Sequence, residues 1–168
     1  MSIYDLAKEV TYNPDTGEFT WLASGNGRNS NNIAGTINQA GYRAIHYQYK
    51  KYLAHRLAFL IMEGKIPSFV DHINGNRSDN RWINLRSATR SQNGVNGTVS
   101  KSATSKYLGV RFRKGRKKPW EVCFRVKGKP TSFGHFPSEE EAMLVAKAKY
   151  KEIHGEFSPY ERKIDEEI

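Results

Sequence analysis

Residues 70–96 read VDHINGNRSDNRWINLRSATRSQNGVN, and this stretch decides how the chain is interpreted. It holds six asparagines, and turns explain several of them because asparagine side chains bond readily to nearby backbone groups. Turns do not explain the order, in which an Asp71-His72 pair follows the apolar Val70, with Asn84 and Asn93 farther along. The segment therefore combines turn-forming residues with an ordered set of oxygen and nitrogen donors.

These donors are the groups that phosphodiester hydrolysis requires. The reaction uses a base that deprotonates water, a divalent cation, and oxygen ligands for that cation. Asp71 offers a carboxylate and Asn93 an amide oxygen, both suited to Mg²⁺, and the His72 imidazole titrates close to neutral pH. Adjacent residues on a strand point to opposite faces. Asp71 and His72 can therefore share a site only if the strand is bent or bulged, or if the site lies at its edge.

The same stretch resembles the HNH nuclease motif, in which a two-strand ribbon and a helix hold one divalent ion. In the branch found in phage and intron-encoded homing endonucleases, the motif runs Asp-His-Ile, Asp-Asn-Arg, Asn-Leu-Arg and a final Asn. The corresponding residues here are Asp71-His72-Ile73, Asp79-Asn80-Arg81, Asn84-Leu85-Arg86 and Asn93.

The resemblance implies a role for each residue of the motif. Asp71 and Asn93 would bind one Mg²⁺ or Mn²⁺, with no zinc expected, and His72 would be the general base. Asn84 would hold the His72 region in place by hydrogen bonding. An amide oxygen at Asn93, where the family name has a histidine, can still ligate these ions. A capping box at Thr89–Gln92 would start the helix that presents Asn93.

The resemblance extends upstream over residues 5–96, through the Tyr12–Gly17 turn and Ala54-His55-Arg56-Leu57-Ala58. At His55 a packed histidine is favoured over a phosphate contact, whereas both interpretations stay open for Arg56. Arg81 and Arg86 flank the expected site and would clamp the scissile phosphate. A solvated surface role is equally open for Arg81.

Charge indicates the class of partner. The 168 residues contain 27 Lys and Arg against 17 Asp and Glu, a formal net charge of +10. Positive charge favours a polyanion, because neutralised phosphates release their counterions, although a basic protein can also lack any nucleic-acid role. Residues 106–129 hold ten of the basic side chains and one acid, Glu121. We therefore expect the strongest phosphate-binding surface there.

That basic segment lies in a second module. Strand-like runs at 107–113, 120–127 and 130–134 precede a helix that a capping box at Ser138 starts and Gly155 ends. Several short sequence motifs of this module, in their order along the chain, resemble those of the Apetala/ethylene-response DNA-binding domain. That domain reads the major groove with a three-stranded sheet backed by a helix. The motifs are Tyr107-Leu108-Gly109-Val110-Arg111, Phe133-Gly134-His135-Phe136, the helix start, and Gly155-Glu156-Phe157.

Strand alternation places apolar and basic side chains of this module on opposite faces. Val110 and Phe112 alternate with Arg111 and Arg113, and the next strand alternates in the same way. The candidate DNA-binding residues of the module are Arg111, Arg113, Arg125, Lys117 and Lys118. Arginine can pair with guanine in the major groove, but some of these residues would only contact phosphates.

We therefore predict an α+β protein with two domains. An HNH nuclease domain spans 1–96, with its ββα-metal motif at about 69–96, and includes an amphipathic helix at 53–63 stopped by Gly64. A linker covers 97–106. A three-stranded antiparallel sheet packed on one helix forms the Apetala-like domain at 107–158, and a loose acidic tail covers 159–168.

The sequence excludes several classes of protein and of metal site. The single cysteine, Cys123, rules out an intrachain disulfide and a cysteine-based zinc site. No apolar run approaches the roughly 18 residues of a membrane span, and MSIYDLAKEV lacks the features of a secretory signal. These features predict no membrane partner and a cytoplasmic location, in a phage-infected bacterium or a similar host.

The leading functional interpretation is a site-specific endonuclease that acts on double-stranded DNA as a monomer or weak dimer. Nicking is the default, because a single one-metal site attacks one strand at a time. The alternative is a non-catalytic DNA-binding regulator on an HNH scaffold, against which the intact set of motif residues argues. An RNA-binding protein is less favoured, because the aromatic signatures of RNA-recognition sheets are absent.

Overall fold

A computed structural model describes residues 2–25, 29–95, 97, 99–100 and 102–161. The fold mixes helices with small antiparallel sheets, which confirms the expected mixture of α and β elements. The chain divides into two compact units, Met1–Arg90 and Ser91–Arg162. The helix that carries Asn93 is therefore grouped with the second unit, whereas the sequence suggests a boundary at 96.

The first unit contains two helices and seven strands among its described residues. In chain order they are α1 (Ile3–Ala7), β1 (Val10–Tyr12), β2 (Phe19–Trp21), β3 (Thr36–Ile37), β4 (Arg43–Tyr47), β5 (Lys50–Leu53), α2 (Ala54–Glu63), β6 (Phe69–His72) and β7 (Leu85–Ala88). The strands form the sheets β1-β2, β3-β4-β5 and β6-β7.

Helix α2 is the centre of this unit. Leu57 and Ala58 are buried, as the helical spacing predicts, together with Phe59 and Leu60. Ile61 and Met62, which the same spacing assigns to the apolar stripe, are instead exposed. The helix ends where Gly64 adopts a left-handed conformation with φ of 71°, so the predicted C-terminus is confirmed. Val70 and Leu85 from the β6-β7 ribbon join the same core, which attaches the ribbon to the helix through one face.

The Tyr12–Gly17 turn packs against the loop that joins β6 to β7. Gly17 has φ of +74°, and a Cβ there would lie 2.4 Å from the backbone nitrogen of Arg81, so only glycine allows this approach. The Tyr12 hydroxyl donates a hydrogen bond to the backbone oxygen of Asn80 over 2.7 Å. The N-terminal turn thus holds a loop that lies more than sixty residues away in sequence.

The second unit begins with a short helix and continues with a sheet and a long helix. Its elements are α3 (Arg90–Val95), β8 (Val110–Phe112), β9 (Trp120–Val126), β10 (Lys129–Phe136) and α4 (Glu139–His154). β9 is the central strand and pairs antiparallel with both neighbours. Ala142, Ala146 and Tyr150 of α4 pack against Val122 and Phe124 of β9.

Local signals predict the ends of α4 correctly. The Ser138 hydroxyl accepts a hydrogen bond from the backbone nitrogen of Glu141 over 3.2 Å, and Gly155 follows the last residue of the helix. The strand boundaries differ from the predicted ones. β8 is shorter than 107–113, whereas β10 is longer than 130–134 and contains a register shift between Ser132 and Gly134.

The ends of the second module also differ from the prediction. The sequence predicts a loose tail from Pro159, but Pro159–Glu161 forms a 3-10 turn, and the Tyr160 hydroxyl donates to the backbone oxygen of Leu108 over 2.6 Å. Residues 162–168 lie outside the described residues. Ser105, within the predicted linker, is buried and donates to the Glu139 carboxylate over 2.6 Å.

Across the described part of the chain, no helix combines the length and apolar character that a bilayer crossing requires.

Candidate active site

Asp71 and His72 end the first strand of the β6-β7 ribbon. Asp71 lies opposite Arg86 and His72 opposite Leu85, in a regular antiparallel register. The two side chains therefore point to opposite faces, as strand geometry implies. Both are nonetheless buried, at 3% and 4% exposure. Because His72 is the last residue of β6, a reaction centre that includes both must lie at the end of the strand.

Arg86 holds the Asp71 carboxylate. Its Nε and Nη2 atoms lie 2.9 Å and 2.7 Å from Oδ2 of Asp71, and both side chains are largely buried. A buried charge is tolerated only when it is paired, so this contact compensates the buried Arg86 guanidinium and orients the Asp71 carboxylate. The sequence predicts that Arg86 contacts the scissile phosphate. That role stays a prediction, but the structure gives the side chain a partner within the protein.

His72 lies among aromatic rings on the other face of the ribbon. The His55 ring meets it edge to face, with 5.1 Å between ring centroids, and the Tyr42 ring lies at 5.9 Å. Burial lowers the pKa of His72, although the neighbouring Asn80 side chain and the charge of Asp71 oppose that shift. The imidazole is therefore biased toward its neutral form, in which it can accept a proton.

His55 is a site residue that sequence reasoning undervalues. The sequence favours a packed histidine, and the side chain is indeed buried at 6% exposure. Its position on α2, however, brings it against His72, which is seventeen residues away in sequence. Burial is the main reason that its pKa falls to about 3, and the nearby His72 and Arg56 add to the effect. No spacing rule links the two histidines, because they lie on different elements.

Replacing His55 should make the free energy of unfolding depend less steeply on pH under acidic conditions. The folded pKa of His55, about 3, lies below the unfolded value of 6.5. Its contribution is therefore complete above pH 6.5 and is lost as pH falls toward 3, because the unfolded chain then binds the extra proton. His55→Phe should therefore lower the slope of the free energy of unfolding against pH by up to about 1.4 kcal/mol per pH unit.

Urea unfolding at a series of acidic pH values would measure this effect. His46→Phe, at an exposed position on β4, is the matched control and should leave the slope unchanged. Identical slopes for wild type and His55→Phe would contradict the prediction.

Asn84 holds the loop between the two strands through both polar atoms of its side chain. Its Oδ1 accepts from the backbone nitrogen of Asn74 over 2.9 Å, and its Nδ2 donates to the backbone oxygen of Asp79 over 2.8 Å. Its own backbone oxygen accepts from the nitrogen of Ile73, the residue after His72. These contacts are of the kind that the family resemblance implies for Asn84, and a catalytic consequence stays a prediction.

Asn84→Asp should destabilise the first unit by about 2 kcal/mol. The carboxylate keeps the acceptor for Asn74 but loses the donor, and it places a negative oxygen against the Asp79 carbonyl. Asn76→Asp is the matched control, because Oδ1 of Asn76 accepts from Ser78 and a carboxylate keeps that acceptor. We expect it to be within about 0.5 kcal/mol of wild type, as chemical denaturation would measure. Equal losses from both variants would contradict this account.

The remaining loop residues explain the density of asparagine and aspartate. Asp79 accepts from Arg81 at 2.9 Å and 2.7 Å and from Asn74 at 2.8 Å. Burial alone would raise the pKa of Asp79, but the bonds from Arg81 and Asn74 outweigh it and the pKa is lowered. Asn80, to which the sequence assigns no role, is 1% exposed, and its Nδ2 donates to the backbone oxygen of Ser78 over 2.9 Å. The sequence signal that could have identified Asn80 is its place inside the Asp-Asn-Arg motif.

The donor set suits a hard divalent cation. Asp71 supplies a carboxylate that Arg86 orients, and the motif supplies the Asn93 amide. Both are oxygen ligands that Mg²⁺ and Mn²⁺ accept. Among the described residues, no three His, Cys, Asp or Glu side chains cluster as a metal site. The expected ligands include the Asn93 amide, so they do not form a cluster of three such side chains. Asn93 lies on α3 in the second unit, so a cation shared with Asp71 remains a prediction.

The predicted DNA-binding residues differ in their surroundings. Arg56 donates to the backbone oxygen of Pro67 over 3.3 Å, which is a structural contact. On the sheet, Arg111 donates to the backbone oxygen of Cys123 over 3.3 Å and Arg113 to Glu121 over 2.8 Å. That bond from Arg113 is the main reason that the pKa of Glu121 is lowered. The exposed members of the predicted set are Arg113, Lys117, Lys118 and Arg125.

Comparisons with known proteins bear on the same segment. Residues 52–95 match the family model described as HNH endonuclease. The chain is 36% identical over 125 residues to a protein of Acanthamoeba polyphaga mimivirus named as an uncharacterised HNH endonuclease. That match covers 73% of this chain and 63% of the relative, so the chain spans less than two thirds of the mimivirus protein.

A second relative is Protein 3.8 of Escherichia phage T7, with 29% identity over 114 residues that cover 67% of this chain and 93% of that protein. No solved structure matches the chain. The family match begins within β5, includes the whole β6-β7 ribbon with Asp71, His72 and Asn84, and ends on α3. Residues 52–95 of this chain are therefore an HNH endonuclease domain.

Proposed function

We propose that this protein is a site-specific DNA endonuclease of the homing type, which hydrolyses phosphodiester bonds with one divalent metal and a histidine base. One observation carries the proposal. A buried Asp71-His72 pair stands at the end of a ribbon within an HNH endonuclease domain, with Arg86 on the aspartate and His55 beside the histidine. We assign the homing type because the motif follows the pattern of phage and intron-encoded homing endonucleases.

The side chains divide the chemistry among them. His72, kept neutral by burial, accepts a proton from the water that attacks the phosphorus. Asp71 and Asn93 would hold the metal, which would supply stabilisation of negative charge on the phosphate and the leaving oxygen. Arg86 orients Asp71, and Asn84 fixes the loop that follows His72. Arg81 stands by the scissile phosphate in this scheme, while its bonds to Asp79 limit its freedom.

The second unit supplies DNA affinity in this proposal, through a sheet of the Apetala type. The β8-β9 register places Arg111 opposite Glu121, and strand alternation sets both on the face away from the α4 core. Arg113 and Arg125 extend the same polar face. A sheet with such a face fits the major groove of duplex DNA, and Lys117 and Lys118 in the adjoining loop would contact phosphates.

Relaxation of supercoiled plasmid DNA tests the proposal. With Mg²⁺ or Mn²⁺ the protein should convert supercoiled plasmid to nicked circles, and EDTA should stop the conversion. Plasmids that carry viral DNA inserts provide candidate sites. Binding to duplex DNA without any nicking or cutting, with either ion, would instead favour a non-catalytic regulator.

A further inference from the structure

The turn that joins β4 to β5 has a backbone that its residues disfavour. Gln48 has φ of 46° and Tyr49 has φ of 63°, so both central residues lie in the left-handed region. Two-residue hairpin turns of this type prefer Asn-Gly, because glycine adopts positive φ without cost. A bulky residue there is an outlier. Folding alone therefore does not explain a tyrosine at position 49, and such outliers cluster at functional sites.

The Tyr49 side chain also lies outside the core. Its relative exposure is 109%, the highest among the exposed large apolar residues of the described chain, whereas Tyr4 is 57% exposed. A fully solvated aromatic ring adds nothing to the packing of the first unit. The ring is nevertheless a large flat surface, of the kind that packs on bases and sugars of nucleic acids.

The charge around this turn is positive throughout. Lys50 and Lys51 follow Tyr49, and both side chains are exposed. No acidic residue occurs between Glu18 and Glu63, a stretch whose basic residues are Arg28, Arg43, Lys50, Lys51 and Arg56. An aromatic ring beside two lysines, remote in sequence from any carboxylate, fits a polyanion with apolar surfaces better than it fits a protein partner.

The hairpin is also connected directly to the candidate active site. β5 ends at Leu53 and α2 begins at Ala54, so the turn leads without a loop into the helix whose His55 contacts His72. The four residue-to-residue steps from Tyr49 to Leu53 span about 13 Å along the strand. That distance is less than half of one turn of B-form DNA, about 34 Å. One duplex is long enough to contact both the hairpin and the ribbon.

We propose that the β4-β5 turn, residues 48–51, is a DNA-contacting tip. In this arrangement the Tyr49 ring packs into a groove of the duplex while Lys50 and Lys51 neutralise the flanking phosphates. The inference rests on the proposed function for the identity of the polyanion. It adds a contact surface that no motif of the chain indicates.

Tyr49→Gly separates function from folding at this position. Glycine relieves the unfavourable φ, so the melting temperature should stay the same or rise. Loss of the ring should weaken binding to a short fluorescein-labelled duplex of mixed sequence about tenfold, as anisotropy in EDTA would measure. Tyr49→Trp should retain affinity. Tyr4→Ala removes a tyrosine that is also exposed, and is the matched control with unchanged affinity.

Two further measurements locate the contact. The double variant Lys50→Gln/Lys51→Gln should reduce the magnitude of the slope of log affinity against log salt concentration by about 2, which is about one unit for each phosphate contact that is lost. A photoreactive p-benzoylphenylalanine at position 49 should crosslink to the duplex, and the same residue at position 4 should not. Wild-type affinity of Tyr49→Gly, or absence of a crosslink from position 49, would overturn the inference.

The outcome also distinguishes this inference from the proposed function. Duplex binding that depends on Tyr49, in a protein that nicks no plasmid, would support the DNA-contacting tip and count against the endonuclease. Plasmid nicking that is unaffected by Tyr49→Gly, with unchanged binding, would overturn the tip alone. A wild-type protein that binds no duplex at any salt concentration would overturn both.

Discussion

His72→Ala should reduce plasmid nicking about a thousandfold and leave duplex binding close to the wild-type level. The loss has this size because general-base catalysis contributes roughly 10² to 10⁴ to a rate, and the adjacent imidazole of His55 is a poor substitute. Burial holds the pKa of His55 at about 3. It is therefore a weak proton acceptor at neutral pH.

The measurement is the rate of nicked-circle formation at saturating Mg²⁺ or Mn²⁺, together with anisotropy of a labelled duplex in EDTA. His46→Ala is the matched control, because His46 is exposed on β4 and does not belong to the ribbon. It should nick at the wild-type rate. Removal of the buried ring also leaves a cavity between His55 and Tyr42, so thermal melting should accompany each assay. Comparable nicking by wild type and a folded His72→Ala would remove His72 from the mechanism.

Asp71→Asn should abolish metal-dependent nicking and also destabilise the first unit by about 3 kcal/mol. The amide has nearly the shape of the carboxylate but lacks its charge. Mn²⁺ would lose its anionic ligand, and the largely buried Arg86 would lose its counter-ion. Both losses follow from one atom exchange, so the catalytic and structural effects must be separated by a second substitution.

Asp71→Asn combined with Arg86→Gln makes that separation. The double variant removes both charges of the buried pair, so its stability should recover much of the loss, and the double-mutant cycle measures the coupling between the two side chains. Mn²⁺ binding, followed by electron paramagnetic resonance, should stay absent because the carboxylate is still missing. Restored nicking in the double variant would show that Asp71 serves only to neutralise Arg86.

Much of this protein can be predicted from local sequence. Helix α2 and its Gly64 stop, the Ser138 start of α4, and the polar loop before Asn84 follow from side-chain periodicity and hydrogen bonds over a few residues. The Asp-His and Asn-Leu-Arg motifs identify the chemistry for the same reason, because they are contiguous. Strand ends are predicted less accurately, since β8 and β10 depend on their partners as well as on their own residues.

Contacts between distant elements required the tertiary structure. The edge-to-face contact of His55 with His72, the bond from Tyr12 to the Asn80 backbone, and the docking of Tyr160 on Leu108 join residues that no local pattern relates. Each depends on how two elements bury their apolar faces together. Local sequence is sufficient for the elements and for the candidate chemistry-bearing side chains, because short-range bonds and periodicity are local. Which side chains share an environment depends on the tertiary fold, because burial and pKa follow from neighbours that the whole core brings together.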